Sequence, residues 1–265
     1  MAPYNFDAPD ADVILRSSDG KDLRVHRLIL SLASPVFQGM FNLPQSTELS
    51  PETPTIDVPE SSDILQPFFQ YLYPRSLPKI SDLAMWTALY AVADKYNAEA
   101  VTDLLRGMLI PQFLEIAPLH VYALASHWGF EEEAKIASRG TLTIDISGGF
   151  LEEDLRLMGS AACQKLYLLH IQRRDKARVL VNSCTYQFAG NNCKCPPMDF
   201  NTVVHVLSQR VSTRPWLTAE ELYGVAAGSG GPIICSGSGC RNAFRNVHAW
   251  FTLILEGLSE LPQTI

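Results

Sequence analysis

The feature that most constrains the fold of this chain is a change in its apolar pattern near residue 75. Before that point, short runs of strand type alternate with helical periodicity. After it, apolar residues recur mainly at spacings of three and four, which is the spacing of one helix face. A small sheet therefore has to form in the first part of the chain, and helices build the rest. At 265 residues the chain is long enough for one or two buried cores.

Two strands and a tight turn are predicted close to the start of the chain. The run 12–16 is apolar and branched, and the run 22–26 alternates polar and apolar residues. Residues 18–21 between them have turn chemistry and include a glycine, which accepts a positive φ. The two runs predict a β-hairpin. A third short strand is predicted over residues 55–58, closed by Pro59.

Helices are predicted on both sides of the third strand. Ser34 and Pro35 indicate a helix start, because serine accepts a backbone N–H at the N-cap and proline at the first helical position loses no hydrogen bond. Ser62 is the predicted cap of a later helix, which ends at Tyr73 because the residue before a proline is pushed out of helical geometry. The apolar residues that indicate these helices are Leu28, Ile29, Leu32, Val36, Phe37, Met40, Phe41, Ile64, Leu65, Phe68, Phe69 and Leu72.

The remainder of the chain is predicted to be helical. Ser81 and Asp82 cap a helix that carries Trp86 on its apolar face. Gly129 separates two shorter helices. The later helices are predicted over residues 101–113, 118–128, 131–142, 151–158, 161–180 and 242–258. Residues 200–207 are apolar enough for either a helix or a strand.

Several blocks of this sequence, in the same order, resemble the BTB/POZ domain family. They are Asp-Val-Ile-Leu at 12–15, Val-His-Arg-Leu-Ile-Leu at 25–30, Ser-Pro-Val-Phe-Gln-Gly-Met-Phe at 34–41, Ile-Asp-Val-Pro at 56–59, Phe-Phe-Gln-Tyr-Leu-Tyr at 68–73 and Ala-Val-Ala-Asp-Lys-Tyr at 91–96. The resemblance covers roughly residues 11–110. It implies an α+β fold, with a small sheet of about three to five strands flanked by helices and a mostly α-helical region after it.

A less specific resemblance extends beyond that domain. Tyr73-Pro74-Arg75, the helical pair at 118–137 and the cysteine-containing tail are similar to BTB proteins abundant in fungi, in which a BACK-like helical region follows the domain. This resemblance implies four parts. They are an N-terminal tail (1–10), the BTB/POZ domain (11–110), a BACK-like helical extension (111–180) and a cysteine-containing C-terminal region with a closing helix (181–265).

The resemblance implies a protein–protein interaction module that forms a homodimer through the BTB domain. Asp12 and Arg27 match a charged pair that lines the dimer groove of the family. Two interpretations of this pair are open. The pair forms a pocket for a partner, or Asp12 satisfies local backbone groups while Arg27 offsets its charge.

The resemblance also implies a cullin scaffold as a candidate partner. Met40 and Phe41 match the position at which cullin-binding BTB adaptors contact the scaffold. The hydrophobic-x-Glu element of strong cullin binders is not evident before Glu48. Two functions therefore stay open, a substrate adaptor of a cullin-type ubiquitin ligase and a homo-oligomeric scaffold in transcriptional regulation with no ubiquitin link. An exposed Met40–Phe41 surface would favour the first, and a buried one the second.

The cysteines of the tail are candidate ligands of a structural zinc ion. Cys184, Cys193, Cys195, Cys235 and Cys240 fall in a segment rich in Gly, Asn, Ser and Pro. Four thiolates around zinc can stabilise a region with little apolar core. The expected ligands are Cys184, one of Cys193 and Cys195, Cys235 and Cys240. Their spacings are not those of the usual Cys-x2-Cys knuckles, so a set of reduced thiols is the alternative.

Composition and motifs argue against other functions. The net charge is −7, which disfavours a dedicated nucleic-acid binder, and the basic run 173–178 is interpreted as a solvated helix face. No apolar run reaches the roughly 18 residues of a membrane span, and residues 1–10 do not resemble a signal peptide, so we expect an intracellular protein of the cytoplasm, the nucleus or both. The glycine-rich run 228–231 lacks a phosphate-loop context and the histidines are scattered singly, so an enzyme is not expected.

Overall fold

The computed structural model describes residues 6–43, 53–74, 77–183, 200–228 and 238–265. The chain divides into two compact units, Met1–Phe113 and Leu114–Ile265. We refer to them as unit 1 and unit 2.

Unit 1 contains a three-stranded sheet in the order β2-β1-β3. Strand β1 (Val13–Arg16) pairs antiparallel with β2 (Asp22–Val25) and parallel with β3 (Thr55–Asp57). Val13 and Leu15 are fully buried while Arg16 is exposed, so the strand alternates as its sequence predicts. Gly20 takes a φ of +77° in the turn, and the predicted hairpin is confirmed.

Five helices complete the described part of unit 1. They are α1 (Arg27–Ala33), α2 (Pro35–Asn42), α3 (Ser62–Leu72), α4 (Leu83–Lys95) and α5 (Glu99–Phe113). The predicted caps at two starts are confirmed. The Ser34 side chain accepts the N–H of Phe37 at 3.1 Å, and Asp82 accepts the N–H of Met85 at 2.8 Å. The aromatic rings of Phe37, Phe68, Phe69 and Trp86 are fully buried and form much of the core.

The prediction that Ser62 caps α3 is wrong by one residue. The N-cap is Ser61, whose side chain makes no capping bond, and Ser62 is the first helical residue. Asp19 from the hairpin turn supplies the missing acceptors, because its carboxylate receives the Ser62 N–H at 2.8 Å and the Ser62 hydroxyl at 2.7 Å. Hydrogen bonds from Ser17 and Ser62 hold the pKa of Asp19 well below its usual range. The turn and the start of α3 are therefore tied together by a contact over 43 residues of sequence.

Helices and the turns and loops that connect them make up the described part of unit 2. Its helices are α6 (Pro118–His127), α7 (Glu131–Thr141), α8 (Glu152–Ser183), α9 (Phe200–Thr213), α10 (Ala219–Gly228) and α11 (Ser238–Glu260). The ambiguous run 200–207 is helical, and the sequence analysis missed α10. Gly159 has φ +67° and ψ 172°, which divides α8 between the two predicted helices. A core of α8, α9, α10 and α11 side chains includes Leu207, Trp250 and Phe251.

The interpretation of run 173–178 as a solvated face is wrong at its first arginine. Arg173 is 1% exposed, although Lys176 and Arg178 on the same helix are exposed. The Arg173 guanidinium lies 4.9 Å from the Trp216 ring centre. It donates hydrogen bonds to the carbonyl oxygens of Pro215, Leu258, Leu261 and Pro262.

None of the helices found among the described residues is long and apolar enough to cross a membrane.

Candidate protein-interaction surface

An exposed apolar face lies on the first two helices of unit 1. The exposed fraction is 71% for Leu28, 81% for Leu32 and 39% for Val36. We call these three residues the α1 face. The spacing of four between Leu28 and Leu32 correctly indicated one side of a helix. That side is exposed, and the α1 residue that is buried in the core is Leu30. An apolar side that stays exposed among the described residues of its unit is typical of an interaction site.

Asp12 and Arg27 lie beside the α1 face but do not form a direct ion pair among the described residues. Asp12 accepts the backbone N–H of Arg27 at 2.8 Å, which satisfies one free donor at the start of α1. The Arg27 guanidinium lies 5.6 Å from the ring centre of Phe41, and its Nε atom is buried without a hydrogen-bond partner in the described part of the chain. Asp12 therefore satisfies local backbone, and the guanidinium is positioned by the Phe41 ring.

The structure places Met40 and Phe41 differently from each other. Phe41 is 9% exposed, and its ring stacks on Phe37 with 6.0 Å between centres. Met40 is half-buried, and Leu43, just after the helix, is 65% exposed. The apolar surface at this end of α2 is therefore formed by Met40 and Leu43 rather than by Phe41. The segment that reaches Glu48 lies outside the described residues.

A buried polar network fixes α2 to the helix behind it. The Ser34 hydroxyl donates to the carbonyl of Tyr96, and the ring of Phe37 stacks on Tyr96 with 4.3 Å between centres. The Tyr96 hydroxyl donates to Glu60 at 2.8 Å, and Lys95 forms an ion pair with the same carboxylate. Burial is the main cause that raises the pKa of Tyr96. Sequence reasoning missed Glu60, because no local pattern marks a carboxylate whose partners lie more than thirty residues away.

Most of the predicted zinc ligands lie outside the residues that the structure describes. Cys184, Cys193, Cys195 and Cys235 lie outside the described residues, and Cys240 lies within α11 at a position whose side chain is not described. Within the described ranges no group of three or more His, Cys, Asp or Glu residues could hold a metal ion. The zinc site stays a prediction.

One buried acid–histidine pair lies in unit 2. Asp154 is 2% exposed, and one of its carboxylate oxygens lies 2.6 Å from Nδ1 of His120. Asp154 belongs to the first turn of α8, and His120 belongs to α6. The pair joins these two helices.

Comparison with known proteins identifies the first unit. A family model described as BTB/POZ domain matches residues 7–112, which includes the sheet, α1 to α4 and nearly all of α5. A search among curated proteins found no match. The matched range contains the α1 face, Asp12, Arg27, Met40 and Phe41. Residues 7–112 of this chain therefore belong to the BTB/POZ family, whose domain is a protein–protein interaction module.

Proposed function

We propose that the BTB/POZ domain self-associates through the α1 face and that the chain acts as an oligomeric protein-interaction scaffold. The observation that carries this proposal is the exposure of Leu28 and Leu32, one helical turn apart on α1, and of Val36 at the start of α2. Three large exposed apolar side chains within nine residues are more than the isolated exposed leucines that are normal on a monomer.

A second copy of this chain suits that face for a reason of symmetry. In a twofold dimer the same patch meets itself, so an apolar patch is complementary to its own copy. Each leucine gains on the order of 1.5–3 kcal/mol when it is transferred from water to a packed interface. The charged residues Asp12 and Arg27 then lie beside the apolar contact, where they contribute to orientation more than to affinity.

The mass of the protein in solution tests self-association. Light scattering should return about twice the monomer mass of 29.4 kDa at micromolar concentration. Leu28→Asp and Leu32→Asp should return the monomer mass, because each places a charge in the centre of the apolar contact. Leu77→Asp is the matched control, since Leu77 is 49% exposed in the same unit but lies outside the α1 face. A wild-type monomer, or variants that stay dimeric with an unchanged circular dichroism spectrum, would contradict the proposal.

A cullin-type ubiquitin-ligase adaptor is the second candidate function. The observation that favours it is the exposed Leu43 beside half-buried Met40, which leaves an apolar contact at the end of α2. A partner helix can dock on such a surface. Phe41 is a poor residue to mutate in a test, because it packs in the core and its removal costs about 3–5 kcal/mol of folding energy.

Binding to the N-terminal region of a cullin scaffold separates the two candidates. Micromolar binding that Leu43→Asp weakens at least tenfold, and that Leu77→Asp does not change, supports a substrate adaptor. Absence of binding by a folded dimer supports a scaffold with no ubiquitin link, such as one that acts in transcriptional regulation.

A further inference from the structure

Unit 2 contains a groove of about 690 Å³ that no part of the proposed function uses. Helix α6 forms its floor, and helices α7 and α8 form its walls. The volume lies in the range of sites that hold small molecules or short peptide segments. Small residues on the floor and on the α8 wall, such as Ala125 and Ala161, leave the space open.

Two polar contacts between α6 and α8 hold the floor and the α8 wall in place. The hydroxyl of Tyr122 on α6 donates to the carbonyl of Ala162 on α8 at 2.8 Å. Nδ1 of His127 lies 3.3 Å from the carbonyl oxygen of Leu157, just before the break at Gly159. Tyr122 itself is fully buried. These contacts fix α6 against α8, so binding in the groove requires little ordering of the protein.

The walls carry apolar and cationic groups next to each other. Leu168 on α8 is 45% exposed, and Lys165 lies one helical turn before it. Lys165 is exposed and makes no ion pair within the part of the chain that the structure describes. Lys135 on the opposite wall pairs with Glu132 at 2.8 Å, but both side chains are well exposed, so this pair is weak and a new carboxylate can replace it. Glu131 is the acidic residue of the lining.

The chain itself places a non-helical segment against this groove. Pro262, Thr264 and Ile265 contribute to the lining, and residues 262–265 have no helical or strand structure. The backbone N–H of Ile265 donates to the Ser138 hydroxyl at 3.2 Å, and Arg173 holds the Pro262 carbonyl at 3.0 Å. One end of the groove therefore already contacts a non-helical peptide backbone that carries an apolar side chain.

We propose that the groove between α7 and α8 binds an extended peptide segment of a partner protein that carries an apolar side chain next to acidic residues. The apolar side chain lies against Leu168 and the small residues of the floor, and the carboxylates face Lys135 and Lys165. The α8 wall after the break at Gly159, from Ala161 to Gln172, is about 16 Å long at 1.5 Å per residue, which matches roughly five extended residues. This site belongs to unit 2 and is independent of self-association through the α1 face.

Selection from a displayed library of random nine-residue peptides tests the proposal on the full-length protein. The wild-type chain is the target, and Ala161→Trp, which fills the groove, is the counter-target. We expect enriched peptides with Leu, Ile or Met beside Asp or Glu. Their affinity, measured by fluorescence polarisation, should fall at least tenfold in Lys165→Glu, and Glu-to-Lys versions of the peptides should recover binding to that variant.

Lys176→Glu is the matched control, because Lys176 is an exposed lysine of the same helix outside the groove. It should leave the affinity within about twofold of the wild type. Absence of peptides that distinguish wild type from Ala161→Trp would overturn the proposal, as would an enriched motif that is basic or lacks charge. If no peptide is selected and Ala161→Trp instead changes the mass in light scattering, the groove is a contact between copies of the chain and the proposal is wrong.

Discussion

At the scale of single residues, the polar groups that matter most in unit 2 are buried ones. Arg173 has no carboxylate partner among the described residues. Its guanidinium donates to three carbonyl oxygens around the end of α11 and to the carbonyl of Pro215, between α9 and α10. Such a planar group of donors suits several acceptors at once, which a lysine at the same position would not match. Beside it, His170 is 5% exposed.

The protonation of His170 should make the stability of unit 2 depend on pH. Burial, with a further contribution from Arg173, lowers the pKa of His170 to about 4. The Thr141 hydroxyl donates to the Ser138 carbonyl at 2.7 Å, so its oxygen accepts from Nε2–H of neutral His170 at 2.9 Å. Between the unfolded pKa near 6.5 and the folded pKa, the unfolded chain binds a proton that the folded chain does not. Stability should therefore fall by up to about 3 kcal/mol as pH falls from 7 to 4.

Urea denaturation at pH 7, 5.5 and 4 measures this dependence. His170→Gln should lose less stability over the same range than the wild type, whereas His205→Gln, at an exposed histidine, should behave as the wild type. Equal losses in all three proteins would show that His170 does not control the acid response.

The tail cysteines lead to a second prediction at this scale. Metal analysis of the purified protein should find about one zinc ion per chain, because four thiolates form a closed tetrahedral site. Cys235→Ser should lower both the zinc content and the free energy of unfolding. Cys163→Ser, at a partly buried cysteine of α8, should lower neither the zinc content nor the fraction of zinc that the protein retains during purification. Metal-free protein whose stability does not change on addition of zinc would refute the site.

At the scale of elements, the ends of helices depend on residues distant in sequence as well as on local ones. Ser34 and Asp82 cap their own helices, as local rules predict. Helix α3 instead receives its acceptor from Asp19 of the hairpin turn. In α8 the decisive residue is Gly159, whose φ of +67° with ψ of 172° is a conformation essentially restricted to glycine.

Gly159→Ala should destabilise unit 2 by about 1–3 kcal/mol, because a Cβ at positive φ strains the backbone. The cause is conformational, since no atom lies within 4 Å of the position that the new Cβ would take. Gly148→Ala is the control, at a glycine that has equal space and no positive φ. Chemical denaturation of the two variants measures the difference. Equal free energies of unfolding for Gly159→Ala and Gly148→Ala would mean that a side chain at position 159 does not strain the backbone at the break in α8.

At the scale of the whole molecule, the two units differ in how they are built. In its described part unit 1 combines a sheet with five helices, and it carries the BTB/POZ match. The described secondary structure of unit 2 consists of helices. Each carries its own candidate surface, the α1 face in unit 1 and the α7–α8 groove in unit 2. The division of residues 111–265 into a BACK-like extension and a separate tail stays a prediction, and so does the fungal subgroup.

Self-association should be nearly independent of salt. The α1 face is apolar, and the Asp12 carboxylate already accepts the backbone N–H of Arg27. Screening of charges by salt should therefore change the affinity of the dimer little. Analytical ultracentrifugation at 50 and 500 mM salt should give dimer dissociation constants within about threefold of each other. Weakening of tenfold or more at high salt would assign the contact to Asp12 and Arg27 instead, and Arg27→Gln should then reproduce the loss at low salt.

Much of unit 1 could be predicted from the sequence alone. The hairpin, the Ser34 and Asp82 caps and the end of α3 all follow from contacts within a few residues, where backbone preferences of Gly, Pro and Ser dominate. The order of these elements, together with the blocks at 12–15 and 34–41, was sufficient to indicate the BTB/POZ family.

Tertiary structure alone decided which apolar and polar residues are buried. Leu28 and Leu32 have the same helical spacing as core residues, yet both are exposed. Arg173 belongs to a basic run that is typical of a solvated helix face, yet it is buried. Periodicity identifies one side of a helix but not what that side meets, because the partner comes from distant parts of the chain. For the same reason the sequence did not reveal the groove between α7 and α8, whose floor and walls come from three separate helices.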